Sequence, residues 1–219
     1  NRGHWDRGFF MRNFTDITDQ NFEAAALEMF RYQYANNQVY GKFCDLINRT
    51  PKAVKALKNI PFLPVELYKK HQVVTGAFTP ETVFTSSTTT GETPSNHWVK
   101  ELAHYEQVYV KGFEREFGDL EDWTVLALLP SYLERSGSSL VAMAEGMIKR
   151  SGKKESGFYL YNHGALEKVL ITLQKQQRPT LLLGVTFGLL DFAETISAMD
   201  FPQLRVMETG GMKGRRKEL

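Results

Sequence analysis

Apolar positions in the first third of the chain recur at helical spacing. Phe22, Ala25, Ala26, Met29 and Phe30 form one stripe, with Thr18 and Asp19 placed to cap it. Val39, Phe43, Leu46 and Ile47 form a second, and Thr50-Pro51 opens a short third helix through Leu57. Pro61 and Pro64 then turn IPFLPVELYKKH toward extended chain. From Val83 the pattern changes. Short apolar runs (TVF, TVLALLP at 124–130, GFYLY at 157–161, TLLLGVT at 180–186, LRVMETGG at 204–211) alternate with amphipathic stretches. The stretches predict helices over about 97–117, 138–150, 164–176 and 188–199. Their stripes are Trp98, Leu102, Tyr105, Tyr109 and Phe113; Leu140, Met143, Ala144, Met147 and Ile148; and Leu166, Val169, Leu170 and Leu173.

Unbroken apolar strands are the kind buried on both faces, and strand–helix–strand units of this length read as a mostly parallel sheet. The expected class is α/β: a mostly parallel sheet flanked by helices, with a helical N-terminal cap. Residues 11–60 form the cap and 61–219 the α/β domain. Residues 1–10 fit neither period and are read as a vector-derived or poorly ordered segment.

One stretch fits no element. FTSSTTTGETPS at 84–95 sets Ser86, Ser87, Thr88, Thr89 and Thr90 in a row before Gly91. Such a run suits a flexible linker, or a loop whose hydroxyls and N–H groups hold a phosphate. The expected position, between the TVF strand and the helix from 97, favours the second. A loop entering a helix offers donors and the favourable end of the helix dipole to an anion.

Composition narrows the classes without choosing one. The 219 residues carry a net charge of +2, which argues for neither nucleic acid nor membrane. The basic cluster Lys213, Arg215, Arg216 and Lys217 reads as a solvated face or a polyanion site. The single cysteine, Cys44, excludes an internal disulfide and a multi-cysteine zinc site, and its setting in FCDLI suits a buried hydrophobe. No secretory or membrane-length apolar segment is evident, so the expected location is the cytoplasm.

The common signatures are missing: G-x-x-x-x-G-K-[ST], G-x-G-x-x-G and G-x-S-x-G all fail to match. Ser138 or Ser139 reads as a helix cap. A serine hydrolase is the remote alternative and would use Ser136, Ser138 or Ser139. His97 and His104, seven apart on the expected helix, lack a third metal ligand. Three segments gain weight beside the hydroxyl run. LALLPSYLERSGSSLVAM, TLLLGVTFGLLDFAE and LRVMETGGMKG each leave a strand, and all four loops are expected at the carboxyl edge of one sheet.

This ordered set resembles the adenylate-forming enzymes, the superfamily of acyl-CoA synthetases, luciferases and peptide-synthetase adenylation domains. Ser86-Ser87-Thr88-Thr89-Thr90-Gly91 looks like their [ST]-S-G-[ST]-T-G phosphate loop, LLGVTFGLL like the strand-to-helix passage beside the acyl pocket, and LRVMETGG like the stretch whose glycines lie against adenine. FLPVELYKKH, LLPSYLERSGSSLV and ETGGMKGR look closest to the acyl-protein synthetases of bacterial luminescence (the LuxE family). The match spans about residues 60–216.

The resemblance implies an ATP-dependent ligase. A carboxylic acid, fatty in the closest branch, becomes acyl-AMP, and the acyl group then passes to a protein or coenzyme A thiol. ATP and Mg²⁺ are the implied cofactors, the metal held by residues largely beyond this chain. Ser86, Ser87, Thr88, Thr89, Thr90 and Gly91 would hold the phosphates, Gly210 and Gly211 would face adenine, and Tyr132, Gly184 and Gly188 would border the acyl pocket. No catalytic residue is assigned. Thr88 stands where the family has glycine, and Ser95 where lysine usually follows the proline. The chain reads as the front portion of such an enzyme, expected to bind nucleotide weakly and not to turn over alone. Exposed apolar surface would then favour a homo-oligomer. The alternative is a non-catalytic binding or assembly module that keeps the fold.

Overall fold

The computed structural model describes residues 16–86, 93–129 and 137–210. Within them the chain forms two compact units that divide at Thr79 and Pro80.

The first unit is helical. α1 (Phe22–Asn36) and α2 (Gln38–Leu46) are joined by Asn37, whose side chain accepts the Tyr40 N–H and starts α2. Phe30, Tyr40, Cys44 and Val54 form the buried cluster, so Cys44 is the small core residue its context suggested. Three expectations fail here. α1 begins after Asn21, with Thr18 making a turn before it rather than capping it. In α2 the buried face is Tyr40, Gly41 and Cys44, while Leu46 is 83% exposed. Thr50–Leu57 makes a single turn accepted by the Thr50 carbonyl, then a 3₁₀ turn at Leu57–Asn59. The segment after it includes a short helix, α3 (Leu67–Lys70).

The second unit opens with an antiparallel pair, β1 (Thr82–Thr85) and β2 (Asn96–Val99). The expected helix from 97 is therefore corrected: α4 runs only over Leu102–Phe117, and Trp98 and His97 lie on β2. His97 and His104 share no helix. The hydroxyl run consequently joins two strands of a hairpin, not a strand to a helix.

The main sheet is parallel, with β3 (Thr124–Leu128), β4 (Gly157–Phe158), β5 (Thr180–Val185) and β6 (Leu204–Thr209) in the order β4-β3-β5-β6. β3 and β5 are buried along their whole length, as their unbroken apolar sequences require. β4 is only two residues of the expected five, and β6 is a half-exposed edge. α5 (Ser139–Ser151) and α4 pack on one face through Val110, Phe113, Ala144 and Met147. α6 (His163–Lys175) and α7 (Thr186–Ala193) cover the other through Leu166, Leu170, Leu173 and Phe192. Each such leucine contributes roughly 1.5–3 kcal/mol by leaving water.

The chain leaves β3 into α5 on one face and β5 into α7 on the other. The crevice between their carboxyl ends is thus the topological switch point, where open α/β sheets bind ligands.

Candidate site at the carboxyl edge of the sheet

The hydroxyl loop is closed at its base by two hydrogen bonds. Ser86 N–H donates to the Ser95 carbonyl at 3.0 Å, and Ser95 N–H donates to Ser86 Oγ at 2.9 Å. The residue that the resemblance would make lysine is thus occupied in the neck. Next to it, Thr85 N–H donates to the Gly137 carbonyl at 2.9 Å. Gly137 has φ +81°, and a Cβ there would lie 3.2 Å from both Thr85 Oγ1 and the Val83 carbonyl. Only glycine meets both demands. The contact ties the hairpin to the residue before Ser138, whose Oγ caps α5 by accepting the Val141 N–H at 3.4 Å. Tyr105 braces the same place. Its hydroxyl donates to the Ser139 carbonyl at 3.0 Å, and its ring packs on Phe84 with centroids 5.1 Å apart. Burial pushes the Tyr105 hydroxyl pKa up. The neck therefore stands beside the start of α5, although the hydroxyl run does not itself enter a helix.

On the other side of the switch point, parallel register pairs Gly184 with Glu208 and Val185 with Thr209. This brings together three groups distant in sequence. The Thr186 hydroxyl donates to the Glu208 carboxylate and lies 2.6 Å from the Gly210 carbonyl oxygen. Gly210 has φ +89°, which lets the backbone turn at the end of β6. Thr186 and Glu208 were not singled out from sequence. Twenty-two residues separate them, and only strand register makes them neighbours; the one available signal was that Thr186 follows one apolar run and Glu208 lies near the end of another.

Below this polar group lies an apolar cleft of about 350 Å³. Leu182, Leu204 and Val206 form its floor, α7 and Met199 its walls, and Thr186 and Glu208 its polar end. Gly184 does not line the cleft. A Cβ on it would lie 2.6 Å from Leu189 Cγ, so its bareness is what lets Leu189 sit against β5. Gly188 is buried on α7 and is also absent from the lining. Among the expected site residues, Ser86, Gly184, Gly188 and Gly210 are described, at or behind the carboxyl edge. Ser87, Thr88, Thr89, Thr90, Gly91, Tyr132 and Gly211 lie outside the described residues, as do Ser136 and the basic cluster from Lys213 to Lys217.

The described residues hold no group of three or more metal-ligating side chains, and none of their helices is long and apolar enough to cross a membrane. No family model, curated protein or solved structure matches the chain.

Proposed function

We propose that this chain is the nucleotide-binding part of an ATP-dependent acyl-adenylating ligase, acting on a carboxylic acid and transferring its acyl group to a protein or coenzyme A thiol. One observation carries the reading: the neck of the hydroxyl loop, the start of α5 and the Thr186–Glu208–Gly210 group border the same sheet edge, with an apolar cleft beneath it. The N-terminus of α5 can meet an anion and the cleft an apolar chain, on either side of a switch point, as condensation of an apolar acid with a nucleotide requires.

In the first step a carboxylate oxygen attacks the α-phosphorus of ATP, forming the acyl phosphate bond as pyrophosphate leaves. Positioned donors lower the barrier by meeting charge that grows on the phosphate oxygens. Ser86, Ser87, Thr89 and Thr90 supply hydroxyls for this, and Gly91 lets the backbone approach the pyrophosphate. Gly210 and Gly211 face the base. Mg²⁺ would supply charge neutralisation when bound, held by one or two carboxylates together with the phosphates. In the second step a thiolate attacks the acyl carbon and AMP departs.

The test on this chain is titration with MgATP. Measurable binding that strengthens when Thr88→Gly restores the family's loop glycine supports the reading. A second reading, a binding module without chemistry, is favoured by Ser95, whose N–H and carbonyl are both engaged in the neck. It requires that Thr88→Gly leave nucleotide binding unchanged.

A further inference from the structure

The net charge of +2 averages over an asymmetry in the first unit. Between residues 49 and 70 the chain carries Arg49, Lys52, Lys55, Lys58, Lys69 and Lys70 against a single acid, Glu66, while the rest of the sequence is net acidic. In the middle of this basic stretch stand Phe62, 90% exposed, and Val65, 65% exposed. Their exposure does not come from a loose chain. Ile60 and Leu63 pack against the buried cluster around Tyr40, and the Tyr40 hydroxyl donates to the Pro61 carbonyl at 2.7 Å. The backbone at Ile60, φ −67° and ψ 122°, is close to the polyproline II conformation that Pro61 and Pro64 favour. A period of three residues then accounts for both faces: Ile60 and Leu63 turn inward, and Phe62 and Val65 turn out together. After Val65 the chain coils, with Tyr68 N–H donating to the Val65 carbonyl at 3.1 Å. Lys52, Lys55, Lys58 and Lys70 are exposed. Lys58 precedes Phe62 by four residues, a reach of at most about 14 Å.

We propose that Phe62 and Val65, flanked by these lysines, seat the first unit on a bilayer surface that bears anionic headgroups. The inference stands apart from the acyl-adenylating reading. Charge complementarity selects an anionic partner, and the shape of the patch selects a bilayer. A ring that is 90% exposed protrudes from the surface; a folded partner would need a matching concavity, whereas the fluid headgroup boundary accepts a projecting apolar side chain without one. The prolines and the inward anchors hold Phe62 and Val65 outward before contact, so little ordering entropy is lost on binding. Each lysine near an anionic surface strengthens attachment about fivefold, and the effect fades beyond a Debye length of about 8 Å at physiological salt. Attachment is at the surface, since none of the described helices is long and apolar enough to cross a membrane.

The experiment measures partitioning of the 219-residue chain onto sedimented vesicles of phosphatidylcholine, pure or with about 30% phosphatidylglycerol. The unaltered protein is expected to bind the anionic vesicles at least about tenfold more strongly than the neutral ones, and to lose that preference at about 1 M salt, where the Debye length is roughly 3 Å. Phe62→Ser is expected to weaken binding about tenfold, with Val65→Ser acting in the same direction. Lys55→Gln and Lys58→Gln should each cost about fivefold on anionic vesicles and nothing on neutral ones. Because all four side chains are exposed, the urea midpoint of each variant should stay that of the unaltered protein. Absence of binding to anionic vesicles overturns the proposal. So does vesicle binding that Phe62→Ser leaves unchanged, and so does capture by heparin that is equally strong in Phe62→Ser and displaces the vesicles, which would assign the lysines to a soluble polyanion.

Discussion

Ser86→Ala isolates the role of the loop neck. Of the two bonds that close it, the substitution keeps the one from Ser86 N–H to the Ser95 carbonyl and removes the one from Ser95 N–H to Ser86 Oγ. A net hydrogen bond of this kind stabilises by about 0.5–1.5 kcal/mol. Because the pair is exposed, the freed Ser95 N–H is met by water and the cost falls toward the lower end. The effect is local, since neither group takes part in the cores of β3 and β5. Opening at the neck should become roughly 2- to 13-fold more frequent, the Boltzmann factor of that range. Amide hydrogen exchange read residue by residue checks this. The Ser95 amide should exchange faster by that factor, while amides of β5 and the urea midpoint stay within error. MgATP affinity should fall in parallel, because a loop with an open neck must be ordered again on binding. An unchanged Ser95 exchange rate would refute the neck as drawn. Faster exchange with undiminished nucleotide binding would separate the loop from the site.

Two further substitutions report on what holds the sheet in place. Ser151, buried at the end of α5, donates to the Trp123 carbonyl at 2.7 Å and shares a 2.7 Å bond with Ser156 Oγ, which in turn accepts the Val125 N–H. Ser151→Ala strips a partner from a buried carbonyl and should cost about 1–3 kcal/mol in urea unfolding; a loss below a few tenths would contradict the network. Burial, followed by the Glu106 and Tyr105 charges, pushes the Tyr109 hydroxyl pKa up to about 12 from 10.0, against a smaller lowering by Arg150. The folded state thus keeps a proton that the unfolded chain gives up. Its contribution is complete below pH 10, and stability falls as pH rises from there toward 12. Tyr109→Phe should make that alkaline fall shallower without abolishing it, since Tyr40, Tyr105 and Tyr159 are also raised by burial. Identical alkaline slopes in the two proteins would refute the assignment.

The parallel sheet was legible because its central strands are apolar without interruption and its helices carry clean stripes. Leu166, Leu170 and Leu173 lie where their spacing put them. β2 was not legible for a physical reason. Trp98, Leu102 and Tyr105 are spaced four and three apart, which imitates one helical face, whereas NHWV is extended only because β1 pairs with it in register. Local period cannot report a partner supplied from elsewhere. α2 failed differently. Its sequence holds two apolar faces, and the position of α1 selects Tyr40 and Cys44 over Leu46. At the candidate site, Gly184 and Gly210 were visible as glycines at strand ends. Leu189 and Glu208 were not, because their roles arise from parallel register and from a side chain that Gly184 lacks.

The central claim is that a carboxylic acid is activated on the α-phosphorus of ATP at this edge of the sheet. It is tested most directly by ATP–pyrophosphate exchange with the complete gene product, using aliphatic and aromatic acids in turn. The account predicts that label passes from pyrophosphate into ATP only when a suitable acid is present. Absence of exchange with every acid, or exchange at the same rate without any acid, would contradict it.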